Sequence, residues 1–367
     1  MSLMNALYAI KFIGFVGIFL THITYPFDFG AGFTTFFFIF SGFIQMYSFN
    51  KKKFKLTEES YKNFLVDKFI KNYPIYLVTL LLSIPYIYPT EHFVFNIKDF
   101  LIHLFMLQPF AFNYGTKIYM FNGLSWFMAV LMWFYIIIPL IYHFVCKIKN
   151  HRNCKFIMAT LFFIAINFAM AYYFRGTIEM FSKRWWLLYI SPISRFSDIL
   201  VGFFLGGLYI NYEDKLKKAV KKIPKLVFTI FEVLALSSIA LINVKLNISK
   251  SFYICGLGFY PTAFALIFIF SFDRGYISDL FSKKFFIKLG KNCIAYYMLH
   301  QTVINYFALF LGAQLWYWKK RLLPFQLTGT LIVLLFIIFF GNCLLDNIFN
   351  PLYLALKKRL IDNKKQR

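Results

Sequence analysis

The dominant pattern along the chain is a series of long apolar stretches separated by shorter polar connections. A helix needs about 20 mostly apolar residues to cross the hydrocarbon core of a bilayer. One apolar segment, 98–112, is too short for this and is predicted to be re-entrant or interfacial. The pattern predicts an all-α polytopic membrane protein with about ten transmembrane helices, near residues 6–24, 30–49, 70–89, 123–146, 156–175, 187–210, 226–244, 253–272, 290–312 and 325–347.

Composition indicates that the chain is solvated by lipid rather than by water. Hydrophobic residues make up 60% of the 367 residues and charged residues only 15%. Disordered chains contain few apolar residues, and soluble domains carry roughly a quarter charged residues, so both classes are excluded. The longest connection, 90–122, is too short for a separate soluble domain. We therefore expect one integral membrane domain over 1–350 and a basic cytoplasmic tail over 351–367.

The positive charge is distributed unevenly between the connections. The chain has 40 Lys and Arg residues against 15 Asp and Glu, which gives a net charge of +25. Of the basic residues, 28 lie in the even-numbered connections and the C-terminal tail, and only 10 in the odd-numbered connections. Because positive charge concentrates on the cytoplasmic side, both termini are predicted to be cytoplasmic. The expected partner of these charges is anionic lipid, and no nucleic-acid site is predicted.

The cysteines do not indicate a structural framework. The five cysteines have irregular spacings, and no CxxC motif occurs. We predict neither a disulfide framework nor a metal site.

Ionisable side chains inside a span are expensive and are therefore candidates for function. Arg195 and Asp198 stand three residues apart, so they either neutralise each other or line a cavity. Pro192 indicates either a break or the first position of their helix, which could open backbone groups to a cavity. Glu232 and Asp346 have no evident partner in the sequence and are interpreted as packing or insertion features. The full set is Lys11, His22, Arg195, Asp198, Glu232, His300 and Asp346.

Lys11 and His22 lie in the same predicted helix, eleven residues apart. This spacing is about three helical turns, so both side chains share a face, with an axial separation of about 16 Å. Lys11 would lie in the inner half of the bilayer and His22 near the outer end. Alternatively, Lys11 extends to the inner interface and His22 caps the outer one. Asp28 in the next loop could orient the imidazole or could be a solvated turn residue.

Two further pairs have helical spacing. Tyr297 and His300 share a face and could line a polar cavity, or make a plain interhelical hydrogen bond. Lys68 and Lys71 open the third span on the cytoplasmic side. They could bind a phosphate group as two point charges, or serve only as positive-inside anchors.

Several motifs follow one another along the chain. They are Lys11 with His22, Phe37 to Phe43 (Phe-Phe-Ile-Phe-Ser-Gly-Phe), Lys68, Lys71 and Pro74, Leu124 to Phe127 followed by Tyr135 and Pro139, Pro192 and Arg195 followed by Gly202, and Gly290 followed by Tyr297 to His300. This ordered set resembles the acyltransferase 3 family of multi-span membrane acyltransferases, many of which O-acetylate surface glycans. Lysines at positions 11, 68 and 71 replace arginines that are usual in the family. Thr35 stands where many members carry an acid, and Leu131 and Met132 stand where one branch has Glu.

The resemblance implies that 1–350 is an acyltransferase domain of a cell membrane (plasma or inner membrane), using acyl-CoA, expected to be acetyl-CoA, as donor substrate. The acceptor would be a hydroxyl of a cell-surface or lipid-linked glycan. No bound cofactor and no metal are implied. The expected site comprises His22 as general base with Lys11, the acyl-CoA-binding residues Lys68, Lys71 and Arg195, and the acceptor-binding or cavity-lining residues Ser41, Trp126, Tyr297 and His300.

The shared face of Lys11 and His22 suggests how the donor could lie in the membrane. The nucleotide would stay inside, and the extended pantetheine arm would present the thioester near His22, toward the outer face. Two other functions remain open from the sequence. One is a transporter or exporter of a lipid-linked glycan, and the other is an acyl-CoA-dependent scaffold without turnover.

Overall fold

The computed structural model describes residues 4–23, 29–87, 95–112, 115–148, 150–176, 178–179, 181–243, 255–310 and 323–362. The chain divides into two compact units. Unit 1 comprises Met1–Thr21, Pro26–Lys52 and Ile148–Cys293, and unit 2 comprises His22–Tyr25, Lys53–Lys147 and Ile294–Arg367.

The described residues fold into α-helices joined by short turns. The prediction of an all-α fold is therefore confirmed for this part of the chain. The helices are α1 (Ala6–Ile23), α2 (Gly30–Lys51), α3 (Glu58–Ile87), α4 (Ile97–Leu104), α5 (Ser125–Cys146), α6 (Arg152–Tyr173), α7 (Pro192–Lys222), α8 (Lys225–Asn243), α9 (Tyr260–Phe270), α10 (Tyr276–Phe281), α11 (Lys284–Phe310), α12 (Leu323–Leu344) and α13 (Asn350–Lys357).

A helix overlaps each of the ten predicted spans, but not every helix meets the criteria for a crossing. Among the described residues, six helical segments are long and apolar enough to cross a membrane. The protein is therefore a multi-pass membrane protein, whereas the count of ten, the cytoplasmic termini and the boundary at residue 350 stay predictions. The six segments are Ala6–Ile23, Gly30–Lys51, Ser125–Cys146, Arg152–Tyr173, Lys183–Lys222 and Thr328–Ile361.

In unit 1, helices α2 and α7 approach each other through a pair of glycines. A Cβ atom on Gly202 would overlap the carbonyl oxygen of Ile39, and one on Gly42 would overlap the carbonyl oxygen of Ile199. Small residues allow helix backbones to pack this closely, and close packing drives association where lipid removes the hydrophobic driving force. Both glycines belong to the motifs found in the sequence, so those motifs encode a helix–helix contact.

Next to this contact, Arg195 and Asp198 form an ion pair in which both side chains are fully buried. Arg195 Nη1 lies 2.7 Å from Asp198 Oδ2, which confirms the predicted pair. Asp198 Oδ1 also accepts from Asn167 Nδ2 of α6 at 2.9 Å and from the Tyr260 hydroxyl of α9. Arg195 Nη1 donates to Thr35 Oγ1 of α2 at 3.2 Å. The pair thus connects four helices of unit 1.

The backbone before α7 supplies the other partners of the Arg195 side chain. Pro192 opens α7 after the capping residue Ser191, as predicted, and a π-helical turn, Trp186–Ile190, precedes it. The guanidinium donates from Nε to the carbonyl of Tyr189 at 2.6 Å and from Nη2 to that of Leu188 at 3.0 Å. Carbonyls that the irregular turn leaves available are therefore satisfied by Arg195.

Glu232 on α8 has a structural partner that the sequence did not reveal. Its buried carboxylate accepts hydrogen bonds from the backbone N–H groups of Gly275 at 2.9 Å, Ile277 at 3.0 Å and Ser278 at 3.4 Å. The Ser278 hydroxyl donates to it as well. These groups form the start of α10, where N–H donors lack partners within the helix. Glu232 therefore caps α10 from a neighbouring helix.

In unit 2, tyrosine hydroxyls attach the segment before α5 to α3. Tyr73 donates to the carbonyl of Leu104 at 3.0 Å, and Tyr86 donates to that of Phe121 at 2.9 Å. Within α4, Asp99 and His103 are buried, whereas the apolar residues Ile97 and Leu101 are exposed, as is Phe105 directly after the helix. This eight-residue helix presents an apolar face outward and is too short to cross a bilayer, which favours the interfacial interpretation of segment 98–112.

The buried ion pair yields the first prediction. Removing one partner of a buried pair leaves an uncompensated charge, at a cost of about 3–5 kcal/mol. We expect Asp198→Asn to lower the thermal unfolding temperature strongly, measured by fluorescence on protein in lipid nanodiscs. The matched control is Asp279→Asn, which breaks the exposed Lys225–Asp279 pair and should cost only about 0–1 kcal/mol. Equal shifts for the two variants would contradict the anchoring role of Arg195 and Asp198.

The glycine contact yields the second prediction. Alanine in a helix interior is intrinsically better than glycine by about 1 kcal/mol. Gly202→Ala should nevertheless lower the unfolding temperature, because the new methyl group would overlap the backbone of α2. Gly14→Ala in α1 is the control, since its Cβ would meet only Phe33 and Phe37 side-chain atoms, at 3.1–3.3 Å. A stabilising Gly202→Ala would show that α2 and α7 are not in backbone contact.

Candidate active site

Two histidines meet in unit 2. His22 lies in the last turn of α1, and His300 lies in α11. Their ring centroids are 5.4 Å apart and the ring planes are inclined by 45°. The His300 side chain is fully buried, whereas His22 is partly exposed. The imidazole predicted to be the general base therefore has a second imidazole as its neighbour.

Tyr297 belongs to the same cluster. Its ring centroid lies 5.6 Å from that of His300 and 5.0 Å from that of Phe127. The Tyr297 carbonyl oxygen lies 2.7 Å from Nδ1 of His300. The shared helical face of Tyr297 and His300 that was predicted from their spacing is thus confirmed.

The residues just before α5 connect to this part of α11. Asn122 donates from Nδ2 to the carbonyl of Met298 at 2.8 Å, and the Tyr297 hydroxyl donates to the carbonyl of Leu124 at 3.4 Å. Trp126 is buried and its ring lies 6.4 Å from that of Phe127. Two of the predicted cavity-lining residues, Tyr297 and His300, are therefore in contact, and Trp126 lies one residue from a ring that packs on Tyr297.

Lys11 is fixed in unit 1 by α11. Its ammonium donates to the carbonyl of Gly290 at 3.1 Å, and Cys293 donates from Sγ to the carbonyl of Lys11 at 3.4 Å. A Cβ atom on Gly290 would overlap the carbonyl oxygen of Tyr8, so the two helices are in close contact there. Because α1 is continuous from Ala6 to Ile23, Lys11 and His22 keep the predicted separation of about three turns.

Lys68 and Lys71 both lie on α3 in unit 2. The ammonium of Lys68 is 4.5 Å from the ring centroid of Tyr135 and 5.3 Å from that of Phe64, so cation–π contacts hold it in place. Lys71 is exposed. One lysine is therefore positioned by aromatic rings, and the other is exposed on the same helix. The binding of acyl-CoA by these two lysines stays a prediction.

Arg195 and Ser41 belong to unit 1. The hydrogen bonds described above for the Arg195 guanidinium go to protein groups, and its side chain is fully buried. Ser41 donates to the carbonyl of Phe37 at 2.7 Å within α2. These contacts describe structural roles for both residues, and their predicted roles toward acyl-CoA and acceptor stay predictions. Asp28, the candidate orienting residue for His22, lies outside the described residues.

Sequence reasoning missed Asn167 and Asn122. Both are fully buried amides that bind across helices or turns, Asn167 to Asp198 and Asn122 to Met298. The search for ionisable residues in the spans passed over them because an amide carries no charge. A search for any strong hydrogen-bonding side chain within an apolar stretch would have found Asn167.

The ionisable side chains that meet in this site are two imidazoles. In the part of the chain that the structure describes, no group of three or more His, Cys, Asp or Glu side chains is placed to hold a metal ion. Two adjacent imidazoles can accept, orient and release a proton near neutral pH. The tyrosine and the aromatic rings around them provide a largely apolar surrounding for such a step.

Comparison with known proteins identifies the family. A family model described as an acyltransferase domain, Acyl_transf_3, matches residues 4–345. Neither the comparison with curated proteins nor the comparison with solved structures finds a match. The family match covers nearly the whole chain and includes both histidines of the cluster. The protein therefore belongs to acyltransferase family 3 and is a membrane-embedded acyltransferase.

Proposed function

We propose that the protein transfers an acyl group, in the first place acetyl, from acyl-CoA to a hydroxyl of a cell-surface or lipid-linked glycan at the cell membrane, with His22 as general base. The family match supports acyl transfer in general. The observation that carries the assignment to His22 is its ring contact with His300 at a centroid distance of 5.4 Å. An imidazole suits this task because its unperturbed pKa lies near neutral pH.

The proposed reaction is a direct displacement. His22 removes the proton of the acceptor hydroxyl as the hydroxyl oxygen attacks the thioester carbonyl carbon. The carbon–sulfur bond breaks, and CoA leaves as a thiolate. The His22 imidazolium then gives its proton to the sulfur, so the products are the ester and free CoA thiol. No other reactant is needed, and His22 ends in its starting protonation state.

In this proposal, lysines on the cytoplasmic side bind the phosphates of the donor. Lys68 and Lys71 are candidates because they lie one turn apart on α3 and Lys68 is already positioned by Tyr135 and Phe64. Lys11 is a further candidate within α1. A lysine binds phosphate as a point charge without the fork of arginine, so we expect several lysines to share the task.

The third prediction tests the base. His22→Ala should lower the rate of acetyl transfer by about 10²–10⁴-fold, the usual contribution of a general base. The assay follows label from radioactive acetyl-CoA into a cell-surface glycan extract, with purified protein in nanodiscs. His143→Ala, which changes another histidine of unit 2, is the control. Thermal unfolding should be unchanged in both variants. Full activity of His22→Ala would exclude His22 as the base, and no transfer by the wild type would contradict the proposed function itself.

The fourth prediction concerns the side of transfer. In inverted vesicles the cytoplasmic face points outward, so added acetyl-CoA reaches only that face. If the thioester is presented near the outer end of α1, label should appear in glycan extract trapped inside the vesicles. Right-side-out vesicles with the same contents and external acetyl-CoA serve as the control and should give no label inside. Absence of label from the glycan trapped in inverted vesicles, for protein that transfers acetyl groups in nanodiscs, would overturn a reaction across the bilayer.

A further inference from the structure

We propose that His300 is a positioning residue for His22: it accepts a hydrogen bond from one ring nitrogen of His22 and thereby presents the other nitrogen, unprotonated, to the acceptor hydroxyl. This inference rests on the proposed function of His22. The observations that carry it are the 5.4 Å ring separation, the full burial of His300 and the contact of its Nδ1 with the Tyr297 carbonyl.

The tautomer of His300 follows from its contact with Tyr297. A carbonyl oxygen can only accept a hydrogen bond, so at 2.7 Å the Nδ1 atom of His300 must carry a proton. In the neutral ring, Nε2 then carries a lone pair and is an acceptor. The backbone of α11 thus determines which nitrogen of His300 can accept a proton or a hydrogen bond.

The ring separation allows this acceptor to meet His22. A centroid separation of 5.4 Å permits an N–H···N hydrogen bond when a nitrogen of each ring points at the other ring. If one nitrogen of His22 donates its proton to His300, the other nitrogen has the lone pair that a general base requires. The partner of a catalytic histidine commonly sets its tautomer in this way.

The contact between His22 and His300 also has a role after His22 has taken the proton of the acceptor hydroxyl. When His22 takes the acceptor proton it becomes an imidazolium, with a proton on each nitrogen. One proton remains hydrogen-bonded to His300, and the other passes to the departing thiolate of CoA. His300 itself gains and loses no proton. It therefore acts through His22 and does not touch the reacting atoms.

If His300 had only a structural role, Nδ1 rather than Nε2 would be the nitrogen that matters. If His300 serves only to bond Tyr297 within α11, the donor at Nδ1 matters and Nε2 does not. The side chains of asparagine and glutamine can distinguish the structural role from the positioning role, because the two amides differ in reach. The amide of asparagine reaches about as far as Nδ1, and that of glutamine about as far as Nε2, where its carbonyl oxygen can accept from His22.

The fifth prediction uses this difference. We expect His300→Gln to keep kcat within about tenfold of the wild type, because an acceptor remains beside His22. His300→Asn and His300→Leu should lower kcat by about 10²-fold, the scale of loss when a catalytic group is misplaced, with little change in the KM for acetyl-CoA. The measurement is release of CoA thiol from acetyl-CoA in the presence of cell-surface glycan extract, with each variant in nanodiscs.

His103→Gln is the matched control for loss of a buried histidine. His103 is fully buried, and its Nδ1 lies 2.9 Å from a backbone carbonyl, that of Asp99, in the same unit. We expect His103→Gln to lower the thermal unfolding temperature about as much as His300→Gln does and to leave kcat unchanged.

Two results would overturn the role of His300. One is activity retained by the asparagine variant and lost by the glutamine variant, which would assign the effect to the Tyr297 contact. The other is wild-type kcat in all three variants. In either case transfer by the wild type would still support the proposed function. Absence of transfer by the wild type, in contrast, would show that the proposed function has failed.

Discussion

The structure depends on one constraint: hydrocarbon offers no hydrogen bonds, so the protein must satisfy each polar group that it places inside the bilayer. The Arg195–Asp198 pair shows how this is done in unit 1. Two opposite charges neutralise each other, and the hydroxyls, amide and carbonyls of neighbouring elements complete their hydrogen bonds. Because those partners lie on α2, α6, α7 and α9, satisfying one ion pair also fixes the arrangement of four helices.

The same constraint separates structural from chemical candidates. Arg195 and Glu232 have charges that backbone or side-chain groups of the protein surround, which is the pattern expected for groups that hold a fold together. The histidines differ from them. His22 is partly exposed at the end of α1, and its ring lies beside a second imidazole. A partly accessible imidazole is better suited to moving a proton than a saturated ion pair.

The sequence predicted the features that depend on local spacing. Apolar stretches of about 20 residues placed the helices, Pro192 marked the start of α7, and the i, i+3 positions of Arg195 and Asp198 predicted their pairing. Contacts between distant segments could not be derived in this way. Neither the bond of Thr35 to Arg195 nor the cap that Glu232 provides to α10 has a local signature. The meeting of His22 with His300 likewise depends on which helices are neighbours, which helical periodicity does not specify.

The partners of His22 and of Arg195 follow the same physical principle. A hydrogen-bond acceptor that stays neutral adds no charge to the largely apolar surrounding of His22 and His300, where a further charge would be costly. An imidazole with one proton bound to a backbone carbonyl can orient His22 while remaining neutral. Thr35 similarly presents a neutral hydroxyl to Arg195 at a position where an acid would add a second negative charge beside Asp198. In both places a neutral acceptor provides direction without further charge, which is the less costly solution in hydrocarbon.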